Sequence, residues 1–383
     1  MKKLARLVER LLAEKQRLAA SIESKLNERE LREARRDRHA RRRPIPCGMT
    51  IHTGIGCNFG CLYCYVPEMG FPLKPAPYPL SGLQLVYALL VNPYFVPGSS
   101  GTLLAFGSVT EPFMEATVEK ALEYLDATRR YLGNPQQIST KSVLDSNHLE
   151  SFVKKADPRI SVLLSITTIR YASVLEPGAP SPEDRFMFAS KLAHRGVHVT
   201  LFLRPMIPGI TDRELDHIMR RARDAGIRTM VPGSLRVTHG ILRRLRASKV
   251  VDTTPIERRL PRPPRGGRDQ VTIHETDLKE LAARVARRHG LIVLPSSCSA
   301  NIVAHRLACW ACKWGPCGSA LEPPKDDEVA EAAEVLGCRR AQARVKRNTA
   351  YVECVGDKRL ADVASVWIET VTKMRTVVRP LRR

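Results

Sequence analysis

From Met49 onward the apolar positions fall into short strand-like runs that alternate with longer stretches of helical spacing. The runs are Thr50 to Gly54, Thr102 to Phe106, Gln137 to Thr140, Ile160 to Ile166, His198 to Leu203 and Thr229 to Val231. Between them the pattern predicts helices over about Ser81 to Val91, Thr117 to Tyr131, Asn147 to Lys155, Pro182 to His194 and Asp212 to Ala225. Alternating β and α elements imply an α/β fold in which helices cover a parallel sheet. Asp277 to His289 then reads as a helix and Leu291 to Leu294 as a strand that extends the sheet edge.

The flanks carry other patterns. Leu4, Val8, Leu11, Leu18, Ile22 and Leu26 recur near helical spacing, which predicts one amphipathic helix over residues 3–30. Arg35, Arg36, Arg38, Arg41, Arg42 and Arg43 follow, a run that repels itself unless a polyanion neutralises it, and Pro44 and Pro46 end it. It is either a nucleic-acid arm or a solvated linker. Residues 255–270 break every periodicity with prolines and arginines and read as a linker or basic loop. Near the end, Pro323 and Pro324 precede the acids Asp326, Asp327 and Glu328, which suit a helix N-terminus. That helix stops at Gly337, and Arg340 to Lys346 is expected to start a second one. The pair is similar to a helix-turn-helix, with an ordinary α-hairpin as the alternative. Four parts result: 1–45, a basic helix and arm; 46–254, a barrel; 255–270, a linker; and 271–383, a cysteine-rich, mainly helical extension.

Charge changes the picture more than composition does. With 62 Lys and Arg against 39 Asp and Glu in 383 residues, the net charge is +23, which favours a polyanionic partner such as nucleic acid. An arginine-rich thermophilic surface is the alternative reading. Ten cysteines without a secretory signal point to metal or redox chemistry in a reducing compartment, and a cytoplasmic location is expected. The apolar stretch Leu83 to Val91 is far shorter than the roughly 20 residues a bilayer needs, so no membrane association is expected.

The chemistry centres on Cys57-Asn58-Phe59-Gly60-Cys61-Leu62-Tyr63-Cys64-Tyr65. Three thiolates this close suit an iron-sulfur cluster or zinc, and three ligands leave one iron of a four-iron, four-sulfur (4Fe-4S) cluster open. The spacing Cys-x3-Cys-x2-Cys, with an aromatic before the last cysteine, resembles the radical S-adenosylmethionine (SAM) superfamily. Tyr63, Cys64 and Tyr65 narrow the likeness to the spore photoproduct lyase branch. It continues through Gly107 to Pro112, Ser139 to Ser142, Ser165 to Thr168, Glu176-Pro177 and Arg204 to Gly209. The resemblance implies a partial (β/α)6 barrel, a 4Fe-4S cluster on Cys57, Cys61 and Cys64, and SAM chelated at the open iron and cleaved reductively to a 5′-deoxyadenosyl radical. It also implies a low-potential electron donor such as ferredoxin or flavodoxin.

Carried over by likeness, Tyr63 belongs to the cofactor-binding loop, and Thr110 and Glu111 look like the segment that receives the SAM amino group. Lys141 looks like the partner of its carboxylate, and Ser165 like the ribose-binding serine. Arg204 would contact SAM or substrate, or else cap its strand. In barrels of this type chemistry gathers at the C-terminal strand ends, where these positions fall. One departure stands out: Ser108 occupies the place where spore photoproduct lyases carry a cysteine hydrogen-atom donor.

A second group, Cys298, Cys309, Cys312 and Cys317, can hold zinc or a second 4Fe-4S cluster, and Trp310 and Trp314 would shield it or stack on a base. Cys338 and Cys354 are read as spare ligands, a radical donor or buried apolar residues. The expected function is radical modification of a nucleic-acid base, with RNA favoured because its loops present unstacked bases. DNA lesion repair, modification of a peptide or small molecule, and a non-catalytic iron-sulfur nucleic-acid-binding protein are the alternatives.

Overall fold

Seven parallel strands form the centre of the molecule, in a computed structural model that describes residues 2–45 and 48–381. They are β1 (Met49–Ile51), β2 (Leu104–Phe106), β3 (Gln136–Thr140), β4 (Ser161–Ser165), β5 (His198–Leu203), β6 (Thr229–Pro232) and β7 (Ile292–Val293). Spatial order follows chain order and every neighbouring pair is parallel, so each connection must cross over through helix. Two helices precede the sheet, α1 (Lys3–Glu23) and α2 (Glu28–Arg36). The crossovers are α3 (Gly82–Val91), α4 (Val118–Tyr131), α5 (Ser146–Lys155), α6 (Pro182–His194), α7 (Leu215–Asp224), α8 (His239–Ala247) and α9 (Thr276–Arg288). Beyond the sheet lie α10 (Ser297–Ala304), α11 (Asp326–Val335) and α12 (Lys358–Thr372).

Where capping chemistry is explicit, the expected boundaries hold. Ser181 accepts from the Asp184 amide at 3.1 Å, Pro182 opens α6, and Gly196 turns the chain at φ +76°, so α6 and β5 have the bounds the sequence predicts. Alternate strand residues serve two faces. Ile138, Val162, Leu164 and Leu201 pack with the crossover helices in the largest core cluster. Leu163, Phe202 and Val231 point the other way, onto Leu294 and Ala300, so α10 lies inside the curve of the sheet.

The predicted single N-terminal helix is two. Asn27 breaks it with a capping box: its side-chain oxygen accepts from the Glu30 amide at 3.0 Å, and the Glu30 carboxylate accepts from the Asn27 amide at 2.9 Å. Ile22 joins the barrel core, whereas Leu4 and Val8 pack with Trp367 in the C-terminal core, so α1 bridges both. The arginine run is partly neutralised within the chain: Arg35 binds the Tyr87 hydroxyl and Glu23, each at 2.6 Å, and Arg43 meets Asp362 at 3.0 Å. Pro46, expected to end the run, lies outside the described residues.

Lys15 on α1 is buried, donating to the carbonyls of Asn92 at 2.6 Å and Phe95 at 2.7 Å, and burial pushes its pKa down to about 7. Between that value and the ordinary 10.5 the unfolded chain holds a proton that the folded chain has released. Stability from this group therefore rises with pH across that window and is flat below it. Urea midpoints of the wild type should gain on those of Lys15→Met between about pH 7 and about pH 9.5. A constant difference would contradict the assignment.

The C-terminal part corrects the sequence reading. Residues Arg339–Lys346 form strand β8 rather than a second helix, paired antiparallel with β9 (Thr349–Val355), which pairs parallel with β10 (Arg375–Leu381). The reason is visible as a period of two: Arg340, Gln342, Arg344 and Lys346 are exposed, while Ala341, Ala343 and Val345 turn inward. There is accordingly no helix-turn-helix here. Cys338 and Cys354, expected as ligands, donor or apolar filler, are joined to each other in a disulfide with Cα atoms 5.3 Å apart. The basic loop 255–270 is tied down too, by a short helix over Thr254–Arg258 and an Arg262–Asp269 ion pair at 2.5 Å. Among the described residues no helix is long and apolar enough to cross a membrane.

Candidate active site at the strand ends

The cysteine loop leaves β1 and is fixed mainly through its backbone. The Leu62 amide donates to the Leu175 carbonyl at 2.9 Å, and the Gly178 amide to the Phe59 carbonyl at 2.9 Å. A Cβ on Gly178 would stand 2.8 Å from Phe59 Cα, so the Glu176-Pro177-Gly178 turn can seat the loop only with glycine there. Arg244, on α8, closes the other side: Nε donates to the Leu62 carbonyl at 3.0 Å, Nη2 to the Cys64 carbonyl at 2.6 Å, and Nη1 meets Glu68 at 2.6 Å. Nothing in the sequence marks this arginine, one of several on its helix and remote in the chain from the loop.

Tyr63 is buried and donates its hydroxyl proton to Glu176 while accepting from Thr167 at 3.2 Å. Glu176 pairs with Arg185 at 2.5 Å, both side chains fully buried, and Arg185 donates on to the Ser165 carbonyl at 3.0 Å. A continuous polar chain therefore joins the cysteine loop to the C-terminal end of β4.

These elements enclose a cavity of about 520 Å³ whose wall includes every residue assigned to the first site: Cys57, Cys61, Cys64, Tyr63, Thr110, Glu111, Lys141, Ser165 and Arg204. Ser108 lines it too, with a hydroxyl where the resemblance would place a thiol. Glu111 accepts from the Thr140 hydroxyl at 2.5 Å and the Lys141 amide at 2.8 Å, so its carboxylate braces the end of β3. Thr110 donates to the Gly56 carbonyl at 2.7 Å. The ammonium of Lys141 lies 5.6 Å from the centre of the Tyr63 ring, and Arg204 lies 5.5 Å from that of Phe202. Neither cation has a carboxylate partner among the described residues. Burial pulls the pKa of Arg204 down.

Burial pushes the Cys61 thiol up to about 12, with Lys141 opposing, and raises Cys57 and Cys64 as well. A bound cation reverses this by taking the thiolate directly. The donor set is soft, three sulfurs with cationic neighbours, and suits an iron-sulfur cluster far better than a hard cation. Gly107 is held at φ +87°, and a Cβ there would lie 2.3 Å from the Ser139 carbonyl oxygen. Gly107→Ala must push the ends of β2 and β3 apart; we expect about 1–3 kcal/mol lower stability and weaker SAM binding, measured by denaturation and calorimetry. An unchanged midpoint would contradict the close approach.

The second cysteine group also converges. Cys309 faces Cys317 across the two-residue strands Ala308–Cys309 and Cys317–Gly318, Cys298 sits on the first turn of α10, and Cys312 lies in the connecting turn. Burial, followed by the charges of Cys298, Cys309 and Cys312, pushes Cys317 up to about 11. Trp310 packs inward with its indole nitrogen buried, whereas Trp314 is exposed beneath Lys313. Among the described residues neither cysteine group is drawn tightly enough to form a ligand set by geometry alone. What marks both is partial burial and mutual electrostatic influence. The two regions adjoin: Ser297, next to Cys298, lines the first cavity and accepts from the Gln137 amide group at 2.7 Å.

Residues 51–222 match the sequence profile of the radical SAM superfamily. An uncharacterised protein of Acidianus two-tailed virus is 27% identical over 202 residues, covering 47% of this chain and 64% of that protein. An uncharacterised protein of Mycobacterium tuberculosis is 23% identical over 193 residues, covering 48% and 57%. The chain thus spans about three fifths of the length of these curated relatives. Among solved structures, a spore photoproduct lyase double mutant with bound AdoMet and dinucleoside spore photoproduct aligns with a TM-score of 0.49 at 18% identity, over 64% of this chain and 75% of that one. The methyltransferase TsrM from Kitasatospora setae aligns with a TM-score of 0.37 at 14% identity, over 50% and 37%. The matched stretch begins in β1, contains the three cysteines and runs through the strands that wall the cavity, so over residues 51–222 the barrel is similar to a radical SAM domain.

Proposed function

We propose that the barrel holds a 4Fe-4S cluster and SAM and acts on a nucleic-acid base, with RNA as the favoured substrate. The observation that carries the reading is the convergence of all nine assigned residues on one cavity. Bound together, cluster and SAM supply a 5′-deoxyadenosyl radical once an external low-potential donor such as ferredoxin or flavodoxin delivers an electron. The chain's own contribution is positional. Cys57, Cys61 and Cys64 would supply three thiolates, and the Arg244 contacts to the Leu62 and Cys64 carbonyls hold their loop in place. Lys141 and Arg204 offer half-buried positive charge that no ion pair among the described residues ties up, suited to the SAM carboxylate or to a substrate phosphate. Phe59, Phe202 and Leu163 supply an apolar wall that limits water.

The nucleic-acid part rests on charge. Alongside Lys141 and Arg204, Arg236 also lines the cavity, and the net charge of +23 attracts a phosphate backbone. Ser108 on the wall offers a hydroxyl, whose O–H bond is too strong to replace a thiol as donor, and this favours base modification over dimer repair. Cys298, Cys309, Cys312 and Cys317 are proposed to share a second metal, zinc or iron-sulfur.

The test follows deoxyadenosine release by reduced, anaerobically reconstituted protein. Folded tRNA, ribosomal RNA fragments, irradiated duplex DNA and a peptide pool are compared across a salt series. RNA should stimulate release, with the effect falling steeply as salt rises. Stimulation by irradiated DNA alone, by peptide alone or by nothing would contradict the reading.

A further inference from the structure

The strand that replaces the expected recognition helix rearranges the C-terminal charges. The inward face of the β8-β9-β10 sheet carries Ala350, Val352 and Cys354, which pack with Trp367 and Ile368 of α12 and with Val329 of α11. On the outward face Arg344, Lys346, Tyr351, Glu353, Arg375 and Arg379 are exposed, while Thr349 between them is buried. The register puts Arg344 opposite Tyr351 and Lys346 opposite Thr349 on one side, and Arg375 beside Thr349 and Arg379 beside Glu353 on the other. Side chains at these paired positions share a face, since strands alternate with a period of two.

Tyr351 is 45% exposed at the centre of that face, although an aromatic in a central strand would ordinarily be buried. Arg344, Lys346, Arg375 and Arg379 flank it, all exposed. None of the four forms an ion pair among the described residues. Glu353, on the same face, is the exception in sign; it lies two residues along β9 from Tyr351 and directly beside Arg379.

We propose that this sheet face is a docking platform for single-stranded RNA, with Tyr351 stacking on an unpaired base and the surrounding arginines and lysine tracking the phosphates. A sequence-tolerant single-strand site combines these two elements, an exposed aromatic ring and a cationic track. A duplex would hide its bases from the ring, and an acidic protein surface would leave the tyrosine without a stacking partner. The inference rests on the RNA reading given above and adds a binding surface separate from the barrel cavity, so that the substrate is held at two places.

The test measures binding of reconstituted full-length protein to a fluorescent single-stranded RNA oligonucleotide, the same-sequence DNA, the RNA in duplex form and an acidic peptide. Tyr351→Ala should weaken RNA binding about tenfold to a hundredfold. Arg344→Ala with Arg375→Ala should flatten the logarithmic salt dependence by about 0.7 for each phosphate no longer neutralised. All three side chains are exposed, so thermal midpoints should match the wild type and separate lost binding from lost fold. Wild-type affinity in both variants, with wild type binding RNA, overturns the platform and leaves the RNA reading standing. No RNA binding by the wild type overturns both. Tighter binding of DNA, duplex or acidic peptide than of single-stranded RNA overturns the assigned occupant.

Discussion

Replacing Cys57, Cys61 and Cys64 together by alanine is expected to abolish SAM cleavage, lowering deoxyadenosine formation by at least about a thousandfold. The loop that carries them is held by backbone contacts to Leu175, Gly178 and Arg244, none of which uses a thiol. The variant should therefore fold, and its circular dichroism and melting behaviour should stay close to those of the wild type. It also isolates the second cysteine group. Any iron, sulfide or zinc that remains belongs to Cys298, Cys309, Cys312 and Cys317, and its absence would leave that group structural. Retained SAM cleavage would falsify the assignment of the triad.

The second large effect concerns stability. Glu176→Ala leaves Arg185 fully buried without its carboxylate and removes the acceptor of Tyr63, and the expected cost is about 3–5 kcal/mol. Apolar replacement of both partners, Glu176→Leu with Arg185→Met, should recover most of that loss, because a buried charge is costly chiefly when it is left alone. Denaturant midpoints at constant m-value decide the matter. In the double variant Tyr63 still lacks its partner, so weaker SAM binding should persist after stability returns. Equal stability of the single variant and wild type would show that the pair contributes nothing.

The barrel is legible because its signals are local. Pro182 and Gly196 bound α6, and the β4 and β5 runs are continuous enough to be read as strands. The site is legible through strand-end motifs, and the fold brings all nine of those residues to one cavity. What escapes the sequence depends on contacts distant along the chain. Arg244 acts on carbonyls far away in sequence, and Arg185 looks like a surface residue of α6 until Glu176 is seen beside it. Residues 339–346 mislead because arginine, alanine and glutamine favour helix, while the alternation that suits a strand covering α11 and α12 prevails once the sheet forms. The break at Asn27 does carry a sequence signal, the Asn27 to Glu30 capping box, which the hydrophobic periodicity masks.

The most direct test of the central claim is electron paramagnetic resonance of the reduced, anaerobically reconstituted protein with and without SAM. If three thiolates at this cavity leave one iron open to SAM, the spectrum must show a reduced 4Fe-4S signal that shifts on addition of SAM. The shift must be lost in the triad variant. A cluster signal indifferent to SAM, or a SAM-dependent shift that survives removal of Cys57, Cys61 and Cys64, would contradict the account.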